Sequence, residues 1–132
     1  MINKSIQREL TTEIRVRYPD CDPMGVVHHS RYYIYFEIAR MELYRKNGGN
    51  YNEMESSGEF FVVVNSECKY LKSAHFDDLL QVTVKIVRIT RVKILQEYTI
   101  YRGDELIAKG KITLAMVNRE GNIVLIPDGY LF

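Results

Sequence analysis

The sequence is poor in cysteine and proline, has no long apolar run, and carries no surplus of charge. Its two cysteines, Cys21 and Cys68, fall in different segments with no CxxC spacing. A disulfide framework is therefore not expected, and a reducing compartment, the cytoplasm, is. No run approaches the roughly 18 apolar residues of a membrane span. The first ten residues are polar and charged and lack the apolar core of a secretory leader. Lys plus Arg number 18 against 17 Asp plus Glu. A general nucleic-acid binder needs a basic excess to offset phosphates, so that class is set aside, although a local basic patch stays open. The three prolines, Pro19, Pro23 and Pro127, form no linker. With no repeat and no low-complexity tract, the 132 residues read as one domain, 1–132.

What is present is ordinary globular composition, 46% hydrophobic and 27% charged. Residues 13–18 alternate, with Ile14, Val16 and Tyr18 on one side and Glu13, Arg15 and Arg17 on the other, which predicts a half-buried strand ended by Pro19. Residues 30–46 read as a helix. Tyr32, Tyr33, Ile34, Tyr35, Phe36, Ile38, Ala39, Met41, Leu43 and Tyr44 cover nearly its whole circumference, which predicts a helix buried on most sides. Gly48-Gly49 supplies its stop. A polar loop, 50–58, is expected next. Strand patterns follow over 60–70, 80–89, 93–102 and 106–117, with turns at Gly103-Asp104 and Gly121-Asn122. A strand, a long helix and consecutive strands with short turns give an α+β chain whose antiparallel sheet of about five strands wraps one central helix. The pattern alone also admits other α+β folds.

Chemistry concentrates in one segment, Tyr18-Pro19-Asp20-Cys21-Asp22-Pro23-Met24-Gly25-Val26-Val27-His28-His29. It sets two carboxylates and two imidazoles between a strand end and a helix start. Helix starts present unpaired N–H groups and the positive end of the macrodipole. Such groups can hold a carbonyl oxygen as it gains charge, and a nearby carboxylate can attack that carbonyl or activate water. The plainer alternative is that Asp and Pro here shape and cap a turn. His28 and His29 equally fit hydrogen-bonded surface residues. Asp20, Asp22, His28 and His29 lack the spacing of a metal-ligand set, so no metal is expected. Nothing is spaced as a dedicated base for Cys21.

The run Asp20-Cys21-Asp22-Pro23-Met24-Gly25-Val26-Val27, followed by Tyr32, Phe36, Glu37, Ala39 and Arg40, resembles the signature of the 4-hydroxybenzoyl-CoA thioesterase family of hotdog proteins. The run 74–80 resembles the loop that enters the next strand in that family. The resemblance implies the hotdog fold, and hydrolysis of a small aromatic or short-to-medium aliphatic acyl-CoA to free acid and coenzyme A, with no cofactor. It implies Asp22 as nucleophile or general base. It implies His29 as the second catalytic position, with a backbone N–H near it polarising the thioester carbonyl. Tyr18, Gly25, Val26, Val27, His28 and Tyr32 would contact substrate. Asp20 would hold the loop, and Glu37 with Arg40 would form a buried or interface polar pair. Arg88, Arg91 and Lys93 match basic residues that contact coenzyme A in relatives, although edge-strand charges of this kind also discourage aggregation. Pairing of two chains into a homodimer, and of dimers into a homotetramer, is implied as well, in keeping with the edges a single sheet leaves open.

Two other functions fit such a chain. One is a non-catalytic module that binds acyl-CoA or acyl carrier protein, against which Asp22 weighs. The other is a thioester hydratase or dehydratase, which would need a helix-borne His that 30–46 lacks.

Overall fold

A computed structural model describes residues 6–126; residues 1–5 and the end of the tail, Pro127 included, lie outside the described residues. The order is β1 (Glu9–Arg15), a 3-10 turn (Tyr18–Asp20), α1 (Arg31–Lys46), α2 (Tyr51–Ser56), β2 (Phe60–Tyr70), β3 (Leu79–Ile89), β4 (Ile94–Arg102), β5 (Glu105–Val117) and β6 (Ile123–Val124). The strands form one antiparallel sheet in the order β1-β3-β4-β5-β2, and β6 pairs with β5. This sheet and its single long helix form a hotdog fold.

The sheet is sided by simple alternation. Leu80, Val82, Val84 and Ile86 of β3 and Ile94, Tyr98 and Ile100 of β4 are buried against α1. The opposite face carries a charge ladder. Glu9 pairs with Lys85, Lys85 with Glu97, Glu97 with Lys111, and Lys111 with Glu67. Opposite charges thus alternate across five strands, which suits a face turned to water. Gly110 gives α1 its close approach, because a Cβ there would collide with the Phe36 ring. Phe36 is fully buried and stacks on Tyr98 at 4.6 Å between centroids.

Three sequence expectations are corrected. The first strand is Glu9–Arg15 rather than 13–18, because the Asp20 side chain takes the Arg17 N–H at 3.1 Å and bends the chain into the 3-10 turn. Tyr18 therefore lies 77% exposed rather than on the inner face. The polar stretch 50–58 contains a short helix, Tyr51–Ser56, whose start is capped by the Asn50 side chain accepting from the Glu53 N–H at 3.1 Å. Finally, α1 is buried on one side only. Tyr32, Tyr35, Phe36, Ala39, Leu43 and Tyr44 face the sheet, whereas Ile34 and Ile38 are exposed, because the sheet covers a single face of the helix. The stop at Gly48 occurs as expected, with φ +90 just past the last turn.

Arg40 is buried on α1, 3.6 Å from Glu37, and donates to the Tyr98 hydroxyl at 3.3 Å. No helix among the described residues is long and apolar enough to cross a membrane.

Candidate active site

The segment 20–29 folds as a miniature hairpin. Cys21 bridges to Val27, the Asp22 N–H donates to the Val26 carbonyl at 2.9 Å, and the Gly25 N–H donates to the Asp22 carbonyl at 2.9 Å. Pro23 fixes the first central position of the turn, and Gly25 accepts the positive φ of +80 that closes it. The segment is fastened on two sides. Its Val27 N–H donates to the Ala74 carbonyl at 2.8 Å, and Val26 bridges to His75, so the loop after β2 lies against it. On the other side stands Asp20, 1% exposed. Its carboxylate accepts from the Arg17 guanidinium at 2.9 Å and the Tyr35 hydroxyl at 2.8 Å, and its carbonyl accepts the His28 N–H at 2.9 Å. Burial alone would raise the Asp20 pKa. The donors from Arg17 and Tyr35 outweigh it and hold the carboxyl below its ordinary value. Asp20 thus holds the loop, as expected.

Asp22 is coordinated far more sparsely. It is half-buried, and Oδ1 accepts the Met24 N–H at 2.8 Å; Oδ2 has no hydrogen-bond partner among the described residues. His29 follows across the hairpin. Its carbonyl accepts the Tyr70 hydroxyl at 3.1 Å, while its N–H has no hydrogen-bond partner among the described residues. The His28 carbonyl accepts the Arg31 N–H at 2.9 Å, so the peptide that carries the His29 N–H is fixed at its other end. The Ser30 N–H donates to His28 Nδ1 at 3.2 Å, and the Ser30 hydroxyl lies 2.8 Å from the same nitrogen. The two imidazoles stack, tilted by 32° with centroids 4.2 Å apart.

Asp22 and His29 open onto one cleft of about 320 Å³, walled by Val27, Tyr32, Tyr70, Leu71, Lys72 and Ser73. Of the residues singled out in the sequence, Asp22, His29, Val27 and Tyr32 meet here. Gly25, Val26 and His28 shape the hairpin without lining the cleft. Tyr18 instead packs edge-on against Phe76, with centroids 5.6 Å apart. Arg88, Arg91 and Lys93 are exposed at the β3–β4 turn. They stand at the far end of β3 from Leu79, roughly 33 Å along the strand, so one chain does not bring them to Asp22.

The sequence reading missed the wall made by Tyr70, Leu71, Lys72 and Ser73. This wall is braced from behind. Arg102 donates to Asp78 at 2.7 Å, to the Ser73 carbonyl at 3.0 Å and to Glu105, which also takes Lys72 at 2.8 Å. The hydrogen bonds from Lys72 and Arg102 hold the Glu105 carboxyl down at about 2. The one signal in the sequence was that 74–80 already resembled a family loop. Among the described residues, no cluster of three or more His, Cys, Asp or Glu could hold a metal ion.

Comparison with known proteins agrees with this fold. Residues 16–131 match the model of the "Thioesterase-like superfamily". An acyl-CoA thioesterase, YbgC, of Haemophilus influenzae is 34% identical over 106 residues, covering 80% of this chain and 78% of that protein. A crystal structure of an Aquifex aeolicus protein is 34% identical and superposes with a TM-score of 0.85, covering 89% of this chain and 93% of that one. A 4-hydroxybenzoyl CoA thioesterase mutant in complex with 4-hydroxybenzoyl CoA shares the fold, with a TM-score of 0.81 at 18% identity, covering 92% of this chain and 94% of that one.

Proposed function

Since this chain belongs to the thioesterase-like superfamily, we propose that it hydrolyses the thioester of an acyl-coenzyme A, with Asp22 as the reacting carboxylate. The observation that carries this reading is that one cleft is lined by both Asp22, whose Oδ2 has no hydrogen-bond partner among the described residues, and His29, whose backbone N–H has none among them either. The substrate carbonyl oxygen sits at the His29 N–H, which receives the charge that develops there. Asp22 either takes a proton from water as the new C–O bond forms, or forms that bond itself to give an anhydride that water then opens. The C–S bond breaks, and the thiolate leaves to be protonated as the free thiol. The acyl group lies toward Val27, Tyr32 and Tyr70. A cleft this size, with two phenol rings in its wall, suits a small aromatic or a short-to-medium aliphatic acyl group.

The basic turn enters through a second copy of the chain. β2 is an eleven-residue edge strand with Val63 and Val64 exposed. Phe60 pairs with Val117, and Ile94 with both Leu114 and Ile89, so the 60 end of β2 shares one end of the sheet with the β3–β4 turn. Tyr70 and the cleft are at the other end. Antiparallel joining of two β2 edges therefore brings the turn of one copy to the cleft end of its partner. In this homodimer, and in a homotetramer built from it, Arg88, Arg91 and Lys93 of one copy meet the coenzyme A phosphates bound at the other. Two free thiols, Cys21 and Cys68, suit a cytoplasmic enzyme.

The test is thiol release from a panel of aryl, short-chain and long-chain acyl-CoA substrates by the parent and by Asp22→Asn. Asp22→Asn is expected to lose about 10²- to 10⁴-fold in rate. Hydrolysis by that variant at the parent rate refutes the assignment.

A further inference from the structure

Resting on the hydrolase reading above, we propose that Tyr70 is a positioning and acyl-selecting residue of the cleft, through its hydroxyl on the His29 carbonyl and its ring against Tyr32. Residue 29 is fastened by few bonds. Its N–H has no hydrogen-bond partner among the described residues, the residue is exposed, and its carbonyl is held by the Tyr70 hydroxyl at 3.1 Å. That bond comes from the last residue of an edge strand and spans the cleft from β2 to the start of α1. The preceding residue is already fixed, by its N–H on the Asp20 carbonyl and its carbonyl on the Arg31 N–H. Tyr70 thus completes the restraint of residue 29 and holds the free N–H where a thioester oxygen meets it. Burial and the neighbouring Cys68 push the Tyr70 phenol up to about 12, so it remains protonated and able to donate at neutral pH.

The ring has a separate task. Tyr32 is 3% exposed and fixed, and Tyr70 meets it edge-on with centroids 5.2 Å apart. Tyr70 itself is 46% exposed, so part of its ring faces the open cleft. An acyl group anchored at His29 runs against that surface. A short chain or a single ring fits beside it; a long chain needs the space the ring occupies.

Hydroxyl and ring are separable by mutation. Tyr70→Phe removes only the hydroxyl, and Tyr70→Ala removes the ring as well; Tyr70→Leu replaces it should the alanine variant not fold. Thiol release would be measured with acetyl-, hexanoyl-, dodecanoyl- and benzoyl-CoA, with melting temperature and oligomeric size as controls. Tyr70→Phe is expected to lower kcat about five- to tenfold for every substrate, the effect of one hydrogen bond, with KM within about twofold and the order of preference kept. Tyr70→Ala is expected to raise the ratio of kcat/KM for dodecanoyl over hexanoyl by about tenfold or more. Parent-like kcat in Tyr70→Phe, or an unchanged ratio in the ring-deleted variant, overturns the proposal. If the parent turns over substrate and Asp22→Asn does not, that failure touches Tyr70 alone. If the parent releases thiol from no substrate in the panel, the hydrolase reading falls and this proposal with it.

Discussion

Asp20 and Asp22 occupy one short hairpin, and their surroundings differ in almost every respect. Asp20 is 1% exposed and receives the Arg17 N–H, the Arg17 guanidinium and the Tyr35 hydroxyl. Asp22 is half-buried, takes the Met24 N–H on one oxygen, and lines the cleft. A carboxylate whose lone pairs are filled by donors is an anchor, since it has little basicity left to offer a proton or a carbonyl carbon. A sparsely coordinated carboxylate keeps open lone pairs and its access to the cleft. Identical side chains are therefore suited to opposite tasks by their hydrogen-bond partners.

Exchanging charge for amide at each position should separate the two tasks. Asp22→Asn is expected to give the largest effect of all, about 10²- to 10⁴-fold in hydrolysis. Its urea midpoint should stay at the parent's, because only one backbone bond is touched. Asp20→Asn is expected to invert that pattern. It leaves Arg17 and Tyr35 facing a weaker acceptor and should cost about 2 kcal/mol in urea unfolding. Activity should fall only about tenfold, through misplacement of the loop. If Asp20→Asn kept full stability and lost all activity, the roles given to the two residues would have to be exchanged.

A smaller effect tests the anchor by pH. The folded-state pKa of Asp20 lies below its ordinary value, so its contribution is complete above the unfolded pKa of about 4 and fades as pH falls through the folded value. Tyr35→Phe removes one of the donors responsible and should cost about 1 kcal/mol near neutrality. The cost should shrink as pH drops from 5 toward 2. Asp78 and Glu105 are also held low, and they add to acid unfolding in both proteins. The informative quantity is therefore the difference in urea midpoint between parent and variant across that range. A constant difference would show that Tyr35 does not act through the ionised carboxylate.

The gathering of Asp20, Asp22 and the helix start in one segment was legible in the sequence, because 20–29 is contiguous and its turn chemistry is local. Pro23 and Gly25 sit where the turn needs them. The wall of Tyr70, Leu71, Lys72 and Ser73 was not legible. Tyr70 reaches His29 only because β2 pairs with β5 along its whole length and the following loop bonds to Val26 and Val27. Nothing in the spacing of Tyr70 relative to His29 encodes that meeting. The reading of α1 as buried all round failed for a related reason. Composition records that Ile34 and Ile38 are apolar but not that the sheet covers one face. The strand at 13–18 was misplaced because alternation continues through Val16 and Tyr18, while the side chain of Asp20 redirects the backbone at Arg17.

The smallest expected effect concerns the far end of the sheet. Arg88, Arg91 and Lys93 differ from Arg102, at the cleft end, in having no ion pair among the described residues, whereas Arg102 is engaged by both Asp78 and Glu105. Cations already paired brace a wall; unpaired exposed ones remain available to phosphates. Exchanging all three for Gln should therefore raise KM for acyl-CoA about three- to tenfold at low salt, leave kcat near the parent value, and flatten the dependence of KM on ionic strength. Shortening the thiol to N-acetylcysteamine, which lacks the phosphates, should abolish the difference between parent and triple variant. Because the turn lies roughly 33 Å along β3 from its own cleft, the effect must cross between copies. Mixing the triple variant with Asp22→Asn would then form heterodimers in which one cleft combines an intact Asp22 with an intact partner turn, and part of the low-KM activity should return. Failure of that complementation, with mixed dimers confirmed by mass, would place the phosphate contacts elsewhere.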